Sequence, residues 1–202
     1  MEILLKTIES EFDEADGWFR IVGADWYADN LRVDVCVAFN DSKEKQVWEI
    51  SCEQVFSEHI VSEYAGFLSV VKNHPLILGY KEPEIEVAFS KNRLSFHELF
   101  GIVASTTFKH LGEQPISTWL NTNLPFYSIC GSEYGVLGKF PLTVANEIVA
   151  ALSEKPISIN FLSQHAPLYW NGKEYIEYPE SLEVLIIGNS YIIGSGFSAV
   201  RA

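Results

Sequence analysis

From Leu31 to Asn40 the chain alternates strictly: Leu31, Val33, Val35, Val37 and Phe39 are apolar, and Arg32, Asp34, Cys36, Ala38 and Asn40 fall between them. A period of two puts successive side chains on opposite faces, so the segment is a β-strand with one buried face and one wet face. A strand of that kind needs partners, and its flanks supply them. Trp18–Trp26 and Gln46–Cys52 are rich in aromatic and β-branched residues. Asp29-Asn30 and Asn40-Asp41-Ser42 provide turn chemistry between them. Phe67–Val71 and Ile85–Phe89 are further short strand candidates, while residues 53–73 as a whole stay open between strand and helix.

The period then changes. Ser95-Phe96-His97-Glu98 has the form of a capping box, and Phe96, Leu99, Phe100, Val103, Thr107 and Leu111 follow at helical spacing. This predicts an amphipathic helix over about 95–111, with Gly112 as its stop. A second is predicted over 141–153, where Pro141 suits the first turn, Val144, Ala145, Ile148 and Leu152 form the buried stripe, and Pro156 blocks extension. The end returns to sheet. Asn171-Gly172 between aromatic flanks and Gly188-Asn189 between Leu182–Ile187 and Ser190–Ile193 are two-residue hairpin signals. The order β-rich, helix, helix, β-rich is not the alternation of a doubly wound fold. It predicts an α+β fold with a mainly antiparallel sheet. No repeat or Pro/Gly/Ser linker interrupts 1–202, which reads as a single domain.

Hydrophobic residues at 48% and charged residues at 20% of 202 are enough for a folded core and exclude a disordered chain. The 27 Asp and Glu against 14 Lys and Arg, net −13, exclude a nucleic-acid phosphate binder, which needs clustered cations. The negative charge is uneven. Met1–Glu63 holds 15 acidic and 5 basic residues, net −10, and the remainder 12 and 9, net −3. Its densest cluster includes Glu11, Asp13, Glu14 and Asp16, which are the candidate residues for steering a basic protein partner. Neither a basic leader nor a long apolar run is present, so the expectation is a cytoplasmic protein without a membrane span.

Most chemistries fail on spacing. Cys36, Cys52 and Cys130 do not make a disulfide framework, and no Cys-x-x-Cys or His-Glu-x-x-His occurs. His97 and His110 share a predicted helix but stand about 20 Å apart along it, too far for one ion. No metal and no cofactor is expected. Cys130-Gly131-Ser132 begins like a papain-type nucleophile motif, but Glu133 stands where a second cysteine belongs. Gly194-Ser195-Gly196-Phe197-Ser198-Ala199 fits a dinucleotide fingerprint only in letters, because no helix follows it. It reads as a glycine-rich loop. The polar-aromatic stretch Trp119–Pro125 and the nearby thiol nominate one pocket, with Trp119, Asn121, Asn123 and Cys130 as its candidate residues.

His74-Pro75-Leu76, Trp119-Leu120-Asn121 and Gly188-Asn189-Ser190-Tyr191-Ile192-Ile193, in that order, resemble a family of bacterial proteins of about this length that carries no assigned activity. The resemblance spans Tyr64–Val200 and leaves out the acidic first third. It implies a bacterial cytoplasmic protein and brings no catalytic residue. Three readings follow. The leading one is a non-catalytic interaction protein, of the inhibitor or immunity type, that covers a basic partner surface. The second is a divergent enzyme or small-molecule binder with its pocket near Trp119–Cys130. The third is a homo-oligomer built on the exposed aromatics of the Trp170 hairpin.

Overall fold

The computed structural model describes residues 1–40, 44–111, 116–121 and 125–202. Helix α1 (Glu2–Glu11) precedes strands β1 (Trp18–Tyr27), β2 (Asn30–Ala38), β3 (Gln46–Glu53), β4 (Ser57–His59) and β5 (Leu68–Val71). A short helix α2 (Leu78–Lys81) leads into β6 (Glu84–Ser90), α3 (Phe96–Leu111), α4 (Phe126–Cys130), β7 (Gly135–Pro141) and α5 (Leu142–Leu152). The chain ends in β8 (Ser158–His165), β9 (Leu168–Trp170), β10 (Tyr175–Glu177), β11 (Glu183–Ile187), β12 (Ser190–Gly194) and β13 (Gly196–Arg201). Every strand pairing is antiparallel, and the fold is α+β, rich in sheet. Among the described residues no helix is long and apolar enough to cross a membrane.

Where the sequence leads one to expect a single domain, the backbone divides into two compact units, Met1–Ile77 with Pro179–Ala202, and Leu78–Tyr178. The first unit is assembled from both ends of the chain, so no linker composition marks it.

In the first unit one sheet has the order β1-β2-β3-β13 and another the order β4-β12-β11-β5. The alternation of β2 places Leu31, Val33, Val35 and Val37 in a core with Phe19 and Ile21 of β1, Trp48 and Ile50 of β3, and Leu185, Ile187 and Ile192 of the other sheet. Burying each such side chain is worth about 1.5–3 kcal/mol against leaving it exposed. Helix α1 joins this core through Leu4, with Leu5, Ile8 and Phe12 against it, and Phe12 stacks on Phe19 at 4.6 Å between ring centroids. The β1–β2 hairpin turns through Ala28-Asp29, with Ala28 at φ 54°. The β11–β12 hairpin turns through Gly188-Asn189 as the sequence predicts. Gly188 has φ 58°, and a Cβ there would lie 2.6 Å from the Ala65 Cβ, so only glycine fits. The expected loop at 194–199 is corrected: Gly194 closes β12, Gly196 opens β13, and the chain passes there from one sheet to the other.

The second unit packs helices on the three-stranded sheet β7-β6-β8. Ile85, Val87 and Phe89 of β6 and Leu137 and Phe140 of β7 meet Leu99 and Val103 of α3 and Val144, Ile148 and Leu152 of α5. The Ser95 hydroxyl accepts from the Glu98 backbone N–H at 3.3 Å, the first half of the expected capping box, while the Glu98 carboxylate accepts from Lys155 at 3.0 Å. Helix α5 is capped from a distance: Glu82 accepts from the Thr143 backbone N–H at 2.8 Å and from its hydroxyl at 2.6 Å. The Trp170 hairpin differs from its expected turn at Asn171-Gly172. Trp170 pairs with Tyr175 and the Asn171 N–H donates to the Glu174 carbonyl at 3.1 Å, so the tip is Gly172-Lys173, one residue on. It is held by the Asn171 side chain, which accepts from the Lys173 and Glu174 N–H groups, both at 2.9 Å. The expected turn residues 41–42 and the helix stop Gly112 lie outside the described residues.

Candidate functional site

The wet face of the β1-β2-β3-β13 sheet is where charge and exposed apolar surface meet. Strand alternation sends Tyr27, Asp25, Arg32, Asp34, Glu49 and Val200 to the side away from the core, and register places them in adjacent rows: Asp25 opposite Arg32, Asp34 opposite Glu49, Glu49 opposite Val200. At the centre is Arg32. Its guanidinium reaches Asp25 at 3.2 Å, Glu49 at 3.6 Å and Asp34 at 3.9 Å, and it lies 5.7 Å from the Tyr27 ring centroid. Tyr27 raises its pKa above the ordinary arginine range; desolvation opposes it, second only to Tyr27, and Glu49, Asp34 and Asp25 each add a smaller upward push. Glu53 stands exposed at the end of the same face of β3. Arg32 thus faces three carboxylates. With Arg20, opposite Cys36 on the same face, and Glu53 counted, the strands of this face carry two cations against four carboxylates, a negative surplus.

Large apolar groups share this surface. Val200 is 60% exposed and Tyr27 56%, and Val47 and the bulge residue Val22 are also open to solvent. Exposed tyrosine and arginine are residue types enriched at protein interfaces, while carboxylates belong to their rims.

The four acidic residues singled out in the sequence sit elsewhere. Glu11 ends α1, and Asp13, Glu14 and Asp16 occupy the turn that follows, all exposed. That turn is well held. The Asp13 N–H donates to the Phe39 carbonyl at 2.8 Å, its carboxylate accepts from the Ala15 N–H at 2.9 Å, and its carbonyl accepts from Gly17 at 2.6 Å. The turn is tied to Phe39, just past the end of β2, whereas Arg32 sits near the start of that strand, so the two lie apart. The acidic first third therefore presents at least two separate negative surfaces. The first unit as a whole carries 17 acidic and 7 basic residues, net −10, and the second 10 and 7, net −3.

The residues nominated for a pocket are placed as follows. Trp119 and Asn121 flank a backbone bridge from Leu120 to Gly138 on β7. The Trp119 carbonyl accepts from Lys139 at 2.9 Å, the Asn121 N–H donates to Leu137 at 2.9 Å, and its side chain donates to Val136 at 3.3 Å. The segment acts as an added edge on β7. Cys130 ends α4 fully buried in the core of the second unit, and burial pushes its thiol up to about 12. Asn123 lies outside the described residues. Among the described residues no group of three or more His, Cys, Asp or Glu is arranged to hold a metal ion.

Comparison with protein-family models, curated proteins and solved structures finds no match to this chain. Arg32 and its cage were half legible: Arg32 and Asp34 lie on the polar face of the clearest strand, but Asp25 and Glu49 join them only through the register of two strand pairings.

Proposed function

We propose that this is a protein-binding module whose first unit docks on a cationic partner through the wet face of the β1-β2-β3-β13 sheet, in the manner of an inhibitor or immunity-type protein that covers a basic surface. The observation that carries this reading is the coincidence on one sheet face of surplus carboxylates around Arg32 with exposed Tyr27 and Val200. Charge brings the partner in and sets its register; aromatic and aliphatic groups hold it. The turn bearing Glu11, Asp13, Glu14 and Asp16 offers charge without an exposed apolar anchor, and it adds to the long-range field that steers encounter. The reading that places chemistry near Cys130 needs an accessible thiolate. A buried thiol titrating near 12 is protonated at neutral pH.

Partner capture from the native host by the intact chain tests this. The expected partner is basic, is released as salt is raised, and is lost by the D25N/D34N/E49Q variant while the fold is retained. A partner held equally by that variant, or one indifferent to salt, overturns the proposal.

A further inference from the structure

We propose that β8 is a self-association edge, along which a second copy of this chain adds antiparallel to extend the β7-β6-β8 sheet. Of that sheet's two outer strands, β7 is already covered by the Trp119–Asn121 segment. Strand β8 pairs with β6 alone, and among the described residues its outer edge makes no backbone hydrogen bond. An edge of this kind is a template for another strand. Proteins normally blunt it with lysine, proline or a very short strand. The eight residues of β8, Ser158–His165, carry no Lys, Arg, Asp, Glu or Pro. Phe161 and Leu162 on it are 45% and 58% exposed. The register shift at Leu162 interrupts the edge once, leaving Ser158–Phe161 as a regular run.

Charge chooses the occupant. Two copies of a chain with net −13 repel one another over most of their surface. From Pro156 to Gly172 the sequence contains no Asp, Glu, Lys or Arg, so here two copies meet without like charges opposed. A cationic partner gains nothing from this edge. An antiparallel strand pair about a two-fold axis is self-complementary, as a closed dimer requires. The salt response separates this proposal from the docking face above: screening strengthens self-association and weakens capture of a basic partner.

Light scattering coupled to size exclusion on the full chain, over a wide concentration range and at low and high salt, tests it. The expected result is a monomer–dimer equilibrium that tightens with salt. In the N160K/L162K variant like charges face one another across the pair, and dimerisation weakens by about tenfold or more with the far-UV spectrum unchanged. If that variant misfolds, Q164K on the same exposed edge serves in its place. A monomer under all conditions, a dimer undiminished in the folded variants, or a dimer that salt dissolves overturns the proposal.

Discussion

Gly138→Ala should unfasten the segment that covers β7. A Cβ at position 138 would lie 2.1 Å from the Trp119 carbonyl oxygen and 2.9 Å from the Leu120 Cα, both backbone atoms. Ordinary contact begins near 3.4 Å, so the segment has to retreat by more than an ångström. That retreat breaks the Lys139 to Trp119 and Asn121 to Leu137 hydrogen bonds and the Asn121 side-chain bond to Val136. At about 1 kcal/mol net for each bond, the loss is about 3 kcal/mol, before any change in Trp119 packing. For a unit of this size, with a urea slope of about 1–2 kcal/mol/M, the unfolding midpoint falls by about 2 M. Urea titration followed by ellipticity and tryptophan fluorescence measures it. A midpoint within about 0.3 M of the parent would show that the segment yields freely and is no fixed part of the sheet.

Ala28→Gly should stabilise the β1–β2 hairpin by about 0.5–1 kcal/mol in thermal or urea unfolding, because alanine at φ 54° holds a left-handed conformation whose relief exceeds the added chain entropy of glycine. Arg32→Gln should lower the unfolding midpoint at low salt and much less at high salt, since it leaves Asp25, Asp34 and Glu49 to repel one another across exposed rows; equal loss at both salts would point to packing instead. Alkylation of the native chain at pH 8 should label Cys36 first and reach buried Cys52 and Cys130 only on unfolding. The thiols of Cys52 and Cys130 are raised from 9.0 to about 12. Their contribution to stability is therefore present below the unfolded thiol pKa and lost as pH climbs from about 9 toward 12. The C52A/C130A variant should lose less of its own stability over that range.

The elements legible in the sequence were those whose pattern and local chemistry agree. Strand β2 alternates because one face is buried and one wet, and α3 shows both its apolar stripe and its Ser95 cap. Helix α1 has helical spacing at Leu4, Leu5, Ile8 and Phe12, but no side chain caps its start, so no local signal marks where it begins. Strand β8 left no alternation to find, since exposed residues occupy both of its faces. The remote cap of α5 by Glu82 and the closure of the first unit by β11–β13 depend on contacts distant in sequence, which no local pattern encodes. The same holds for the Arg32 cluster. Each of its carboxylates is visible in the chain, but only strand register brings them to one guanidinium.

Titration of the isotopically labelled chain with a short oligolysine, read residue by residue from amide chemical shifts, probes the acidic docking face most directly. Shifts concentrated in 25–34 and 49–53 and fading as salt is raised are the predicted result. Shifts confined to the turn after α1, or spread evenly over both units, would contradict the assignment of the partner surface to this sheet.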